Sequence, residues 1–287
     1  MIGTRSRNSI TLFSLSMSSP KRGLFGLCDH PLQALQPRFP HRFDRYPGGI
    51  AQNVHFIGVE QARQLDPQQQ IEYLLAQHFI DKGRAFTGFD TDRSHTSFTR
   101  FYADYASPVV VDTYEGLDLI AAVFEEEPAV GPLPNVIVDL AAQTAAPLAR
   151  WVKDSDLVSL MAGMGIKVNF WHVADAGKDS VDLLDRLVAT YGAGPNYIVV
   201  KNLGRGSDFS QLEDSAALKK AVALGGHVIT LPQLHEASMR KIDRQNASFW
   251  AAVNHKEGAD ALGMLERQRV KTWLKSCYST LDALPLG

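Results

Sequence analysis

The sequence predicts an α/β domain with a doubly wound, mainly parallel sheet, and three observations support this fold class. From residue 53 onward, segments with strand character alternate with segments of helical periodicity, as in sheets built from strand–helix units. Several strand candidates, such as NVIVD at 135–139, are nearly continuous apolar runs, which is typical of strands covered by helices on both faces. Aspartates end three of these strands, at the edge of the sheet where ligands of such folds bind.

The strands are predicted from short runs of β-branched and aromatic residues bounded by turn-forming residues. In chain order they are 53–58, 85–90, 108–112, 135–139, 166–173, 196–201 and 227–231.

The helices are predicted from apolar residues that recur at positions i, i+3 and i+4. Gly83 is a plausible stop for the first of them, and an irregular stretch separates the last strand from the final helix. The predicted helices are 68–81, near 116–127, 144–163, 178–191, and a final one that contains Val270, Trp273, Leu274, Cys277, Tyr278 and Leu281.

Composition excludes several classes of protein. Of the 287 residues, 45% are hydrophobic and 21% charged, which indicates a globular chain. The 29 basic and 31 acidic side chains nearly cancel, and this balance argues against a dedicated nucleic-acid-binding protein. Two cysteines, Cys28 and Cys277, cannot build a disulfide framework. No apolar run approaches the length of a membrane span, so we expect a cytoplasmic protein.

The first fifty residues differ from the rest of the chain. Residues 1–50 contain seven basic side chains, two acidic ones and five of the 14 prolines, without sustained periodicity. The first 28 residues loosely resemble an organellar transit peptide, although a disordered tail or a start codon assigned too far upstream is the favoured interpretation. The predicted organisation is a disordered leader over 1–50 and an α/β domain over 51–287.

Polar residues at the strand ends are the candidates for a functional site. Asp90 and Asp92 follow the second strand, Asp139 closes the NVIVD strand, and Asn202 follows NYIVVK. Carboxylates suit a Mg²⁺ ion held through water and can orient an attacking water, while an asparagine amide can hydrogen-bond a purine. Each residue also has an ordinary structural role available, since Asp and Asn often cap helices and form turns.

The same residues carry a resemblance to a known family. The segments HFIG, LLAQHFIDKGRAF, FDTDRSHTSF, NVIVDLAAQT and VVKN, within residues 53–255, resemble the ParA/MinD-type P-loop ATPases, in particular ParA-like proteins of plasmid mobilisation and partition. The resemblance implies a P-loop NTPase sheet with ATP and Mg²⁺ as cofactors. It further implies that Asp90 lies near the Mg²⁺ ion, Asp92 acts catalytically beside the attacking water, Asp139 is a more distant Mg²⁺ partner and Asn202 binds adenine.

One segment departs from that family. Its members need a KGGxGK[ST] loop, whose amides and lysines hold phosphate, between the first strand and the first helix. Here residues 59–82 contain no glycine and 53–81 no lysine, Pro67 lacks an amide donor, and Arg63 is the one local cation. We therefore expect impaired or lost ATP binding. The alternatives are an active ATPase with Arg63 in the phosphate role and a ligand-free interaction module.

Other site types lack their sequence signals. There is no GxGxxG after the first strand, no HExxH and no GxSxG, and His172 fits a satisfied core position. Residues 234–277 contain eight basic and five acidic side chains, which permits a non-specific DNA contact, although an ordinary solvated surface is favoured. The resemblance implies a homodimer or a partner protein. No membrane contact is expected, because no apolar run is long enough to span a bilayer.

Overall fold

The structure, a computed structural model, describes residues 52–58, 71–93, 96–125, 133–245 and 247–286. Two predictions lie outside the described residues: the leader over 1–50, and the loop after residue 58 with Arg63.

The described strands form one seven-stranded sheet in which every pairing is parallel. Its order is β3-β2-β4-β1-β5-β6-β7, so β4 lies between β2 and β1. The strands are β1 (Asn53–Gly58), β2 (Phe86–Asp90), β3 (Ala106–Pro108), β4 (Asn135–Leu140), β5 (Lys167–Ala174), β6 (Asn196–Asn202) and β7 (His227–Leu231).

Helices alternate with these strands along the chain, as predicted. They are α1 (Ile71–Lys82), α2 (Ser97–Phe101), α3 (Tyr114–Ala122), α4 (Ala145–Asp154), α5 (Leu157–Gly163), α6 (Lys178–Tyr191), α7 (Ser210–Asp214), α8 (Ala216–Ala223), α9 (Glu236–Arg244), α10 (Phe249–Asn254) and α11 (Met264–Asp282).

Both faces of the sheet are covered, which explains the continuous apolar strands. Successive side chains of a strand point to opposite faces, so Ile57 packs in one core with α1 and α11 while Phe56 packs in another with α4 and α6. The predicted doubly wound arrangement is therefore confirmed, with a sheet that is parallel throughout the described residues.

Four asparagines connect the strands at the amino edge of the sheet. Asn53 donates through Nδ2 to Asn135 Oδ1 (3.3 Å) and to the carbonyl of Leu286 (2.8 Å). Asn169 donates to Asn53 Oδ1 (3.1 Å), and Asn196 donates to Asn169 Oδ1 (3.0 Å). We call these four residues the asparagine ladder. It joins β4, β1, β5 and β6 and ties the carboxyl-terminal residues to the first strand.

The structure corrects the predicted strand at 108–112. The third strand is Ala106–Pro108 and ends where the predicted one begins. Pro108 has no N–H to donate. After it, the amide of Val109 donates a hydrogen bond to the carbonyl of Asp90 in β2 (2.8 Å). Asp112 therefore does not end a strand, and it forms an ion pair with Arg93 (2.7 Å).

Two predicted helical regions also differ. The helix predicted over 144–163 is two helices, α4 and α5, because Asp156 adopts a left-handed conformation with φ 44°. The stretch predicted to be irregular after β7 contains α9 and α10. These helices are short and partly polar, so the periodicity of apolar residues that predicts a helix is weak there. The first helix ends at Lys82, one residue before the predicted stop at Gly83.

No helix in the described ranges is both long enough and apolar enough to cross a bilayer.

Candidate functional site at the carboxyl edge of the sheet

The sheet order brings two of the predicted site residues together. Because β4 pairs with β2, Asp90 and Asp139 are register partners at the carboxyl ends of these strands. Asp139 lies two residues after Ile137, so its side chain points to the same face as Ile137, the face covered by α1. The two carboxylates therefore lie side by side under the start of that helix.

Asp90 is buried and its carboxylate is held by backbone amides. Oδ1 accepts a hydrogen bond from the amide of Asp92 and Oδ2 from that of Thr99, both at 3.0 Å. Thr99 lies in the first turn of α2, where the residue preceding the helix provides no side-chain cap, so Asp90 fills that role. Burial raises the pKa of Asp90, and the two amide hydrogen bonds oppose this shift.

A close packing contact sets the position of α2. Gly88 lies in β2, and a Cβ there would come within 2.7 Å of the Phe98 ring and 2.8 Å of the Ala106 methyl group. The missing side chain lets Phe98 lie directly on the strand. This packing places the amide of Thr99 within reach of Asp90.

Asp139 lacks the amide partners that Asp90 has. Its side chain is buried, and no described residue donates a hydrogen bond to its carboxylate. Burial raises the pKa of Asp139 well above its usual range, and the nearby charges of Asp90 and Asp92 raise it further. A carboxylate in this state is stabilised by a proton or by a cation.

Thr91 connects the backbone ends of the two strands. Its amide donates to the carbonyl of Asp139 (3.1 Å), and its Oγ1 accepts from the amide of Ala141 (2.8 Å). The connection holds the segments after β2 and β4 together, which keeps Asp90 and Asp139 in register.

Sequence reasoning missed a third carboxyl group at this edge. Glu72, the second residue of α1, is completely buried, and neither of its carboxyl oxygens has a hydrogen-bond partner among the described residues. Burial raises its pKa well above the usual range, and the charges of Asp139 and Asp90 add to the shift. The sequence signal for it is weak, an acid directly between Ile71 and Tyr73, and only the structure shows that the first nine residues of this helix are all buried.

Asp92 and Asn202 occupy less enclosed or more distant positions. Asp92 is half-buried, and its backbone amide donates a hydrogen bond to Asp90 Oδ1. Asn202 ends β6, three strand spacings or roughly 14 Å from the end of β4. Its Oδ1 accepts from the amide of Gly204 (3.0 Å) and so caps the 3-10 turn Leu203–Arg205. Asn202 therefore has the turn-forming role that the sequence analysis gave as an alternative, and its contact with adenine stays a prediction.

The arrangement favours a hydrated cation over a directly coordinated one. Within the described ranges, no three His, Cys, Asp or Glu side chains are grouped so that they could hold a metal ion. Mg²⁺ keeps several of its waters in proteins and is commonly held by one or two carboxylates. Asp139, with Asp90 beside it, matches that description, so the residues present fit a water-mediated Mg²⁺ ion.

Comparison with family models and with curated proteins finds no match for this sequence. The functional interpretation therefore depends on the residues themselves. The all-parallel sheet with alternating helices is consistent with both Rossmann-like and P-loop-like folds.

Proposed function

We propose that this chain is a ParA/MinD-like P-loop protein of plasmid or mobile-element mobilisation or partition that has lost ATP binding and acts through protein contacts. The observation that supports it best is the register pairing of Asp90 with Asp139. These residues are the acids of the two motifs, FDTD and NVIVD, that carry the family resemblance.

The strand order favours this proposal over a dinucleotide-binding enzyme. In the usual dinucleotide-binding order, 3-2-1-4-5-6, the first two strands are neighbours and an acid at the end of the second binds ribose. Here β4 lies between β2 and β1, so the acid after β2 faces another acid. Paired carboxylates suit a divalent cation better than a ribose hydroxyl.

Loss of ATP binding is supported by two independent features. The segment after Gly58 lacks the glycines and lysine that would hold phosphate. In addition, Glu72 adds a third carboxyl group close to Asp139 and Asp90. When ionised, this group repels a triphosphate, and no lysine in residues 53–81 offsets it.

Protein contact is supported by the exposed apolar side chains of α10 and α11. Trp250 is 53% exposed, Met264 73% and Leu265 62%. Exposed aromatic and methionine side chains are enriched in protein interfaces. These residues are candidates for contact with a second copy or a partner.

A DNA contact through residues 234–277 stays a weaker part of the proposal. Three of its basic residues already form ion pairs within the chain. The pairs are Arg240 with Glu236, Lys241 with Glu266, and Arg244 with Asp260.

The proposal is tested by restoring what the first loop lacks. One variant would carry a KGGxGK[ST] loop after Gly58 together with Glu72→Ala, and a matched control would carry the same changes plus Asp139→Asn. We expect calorimetry with Mg²⁺ to show micromolar ATP affinity for the first variant. The control should lose most of the Mg²⁺-dependent affinity, and the natural chain should show no binding.

Two outcomes would contradict the proposal. A folded loop variant that does not bind ATP would mean that the carboxyl edge is not a former nucleotide site. Equal ATP binding by the variant and its Asp139→Asn control would remove the role assigned to that aspartate. Circular dichroism of each variant establishes that it is folded.

A further inference from the structure

A cavity lies on the face of the sheet opposite α1. Its volume is about 360 Å³, and its described lining comes mainly from β1, β5, α4 and α6. This volume falls within the range of small-molecule pockets, which are mostly apolar with a few polar groups. None of Glu72, Asp90 and Asp139 lines it.

The chain topology explains why this space is open. The first helix covers β1 on the opposite face, while α4 follows β4 and α6 follows β5 on this one. The two helices flank β1, and three of the α4 side chains that line the cavity are small, Ala145, Ala146 and Ala149, with Leu148 beside them. The gap is therefore built into the sequence of α4.

Aromatic rings form the floor of the cavity. Phe56 stacks on Phe170 with ring centroids 5.3 Å apart, and Phe170 stacks on Tyr191 at 4.1 Å. Leu148 and Leu187 add apolar walls. An apolar body bound here would exchange water contact for contact with these side chains, which is favourable.

One end of the cavity carries the positive charge of an arginine. Arg205 lies in the turn after β6, is half-buried, and forms no ion pair or hydrogen bond with the described residues. The next residue, Gly206, packs so closely on Ala176 that an added Cβ would lie 2.7 Å from its methyl group. This contact holds the turn of Arg205 against the start of α6.

The other polar groups at that end already have partners. Ser180 Oγ accepts from the amide of Asp175 (3.3 Å) and lies 3.3 Å from His172 Nε2. Burial lowers the pKa of His172 to about 4, so the ring is neutral, and its Nε2 and the Ser180 hydroxyl are hydrogen-bond partners. Asp175 Oδ1 accepts from the amide of Gly177 (2.8 Å).

We propose that this cavity binds an amphipathic carboxylic acid, with its apolar chain on the aromatic floor and its carboxylate on Arg205. A guanidinium binds a carboxylate through two parallel hydrogen bonds, which gives the site its preference for acids over neutral molecules. The proposal is independent of the proposed function, because the two sites share none of the residues that carry the arguments.

The probe is decanoate, titrated into the full chain below the concentration at which it forms micelles, with decanol as its uncharged analogue. We expect one saturable site for decanoate. Arg205→Gln should weaken decanoate binding roughly ten- to hundred-fold and leave decanol unchanged, because the variant removes one charge-assisted contact. The matched control is Arg150→Gln, an exposed arginine of α4 outside the cavity lining, which should change neither.

A second variant tests the apolar part of the site. Ala149→Phe fills the space beside α4 and should abolish binding of both probes, whereas Ala122→Phe, at a half-buried alanine of α3 outside the lining, should not. The proposal is overturned if decanoate does not saturate one site or if Ala149→Phe binds normally. It is also overturned if the two arginine variants lose the same affinity.

Discussion

The two edges of the central sheet differ in whether their buried polar side chains have hydrogen-bond partners. At the amino edge, the asparagine ladder links neighbouring strands through amide hydrogen bonds of 3.0 to 3.3 Å. At the carboxyl edge, Asp139 has no donor among the described residues, and both Glu72 oxygens lack one.

The difference follows from the chemistry of the side chains. An amide both donates and accepts, so identical asparagines on adjacent strands can satisfy one another. Ionised carboxylates only accept, so neighbouring acids repel and need a proton, a backbone amide or a cation. The amino edge is thus complete within the protein, whereas the carboxyl edge needs a proton or an added cation. This contrast separates a self-contained structural feature from a candidate cation site.

The largest expected effect comes from breaking the ladder. Asn53→Ala leaves Asn135, Asn169 and the carbonyl of Leu286 without one of their partners. We expect the free energy of unfolding to fall by about 3 kcal/mol, since each buried polar group left unsatisfied costs about 1–3 kcal/mol. Urea unfolding measures the change.

The control for the ladder is Asn254→Ala. That asparagine is exposed, and among the described residues its Nδ2 donates only to the carbonyl of Trp250 in its own helix. Its replacement should alter stability by less than about 0.5 kcal/mol. Equal losses for the two variants would mean that the ladder contributes nothing beyond an ordinary surface hydrogen bond.

At the carboxyl edge, we expect a substitution to raise the free energy of unfolding instead of lowering it. Glu72→Met replaces a buried carboxyl group that has no hydrogen-bond partner among the described residues by an apolar side chain of similar length. It should raise the free energy of unfolding at pH 8 by about 1–3 kcal/mol. Glu257→Met, at an exposed position, is the matched control and should have little effect. Destabilisation by Glu72→Met would show that this carboxyl group has a stabilising partner.

The same carboxyl groups predict how stability depends on pH. Folding raises the pKa values of Glu72 and Asp139, so the folded state binds more protons than the unfolded state above pH about 4, the usual range of these groups. The free energy of unfolding should therefore fall as pH rises from about 4 toward the raised pKa values, by up to about 1.4 kcal/mol per pH unit for each group.

Thermal unfolding at several pH values measures this slope, and Glu72→Met should flatten it. If stability instead rises with pH across the window, the two carboxyl groups have ordinary or lowered pKa values in the folded protein.

The smallest effect concerns magnesium. A Mg²⁺ ion bound with a dissociation constant near 1 mM raises the free energy of unfolding by about 1.4 kcal/mol at 10 mM metal. We expect a rise of this order for the natural chain and none for Asp139→Asn, as measured by thermal unfolding with and without Mg²⁺. Identical Mg²⁺ titrations of the two proteins would indicate that Asp139 holds no ion.

The sequence predicted the parts of the fold that depend on local patterning. Apolar runs located β1, β4, β5 and β6. Asp90 and Asp139, at the carboxyl ends of β2 and β4, were found because parallel strands share a carboxyl edge. The pairing of Asp90 with Asp139 required the order of the strands, which periodicity does not contain.

Other features depended on contacts between distant parts of the chain. Glu72 was missed because a single acid in a helix indicates exposure unless the packing around it is known. The ladder was missed for a similar reason: Asn53, Asn135 and Asn196 each begin a predicted strand, but their hydrogen bonds follow only from the register. The end of the third strand at Pro108 was missed because a proline stops a strand only where its missing N–H would face a neighbouring strand. The sequence does not show which side of the strand is paired.

The most direct test of the account is a calorimetric titration of the natural chain with ATP in the presence of Mg²⁺. The missing glycines and lysine, together with the additional carboxyl group of Glu72, predict no binding at millimolar ATP and no turnover. Micromolar affinity that is abolished by Arg63→Ala would contradict this result. It would instead identify an active nucleotide site in which that arginine binds phosphate.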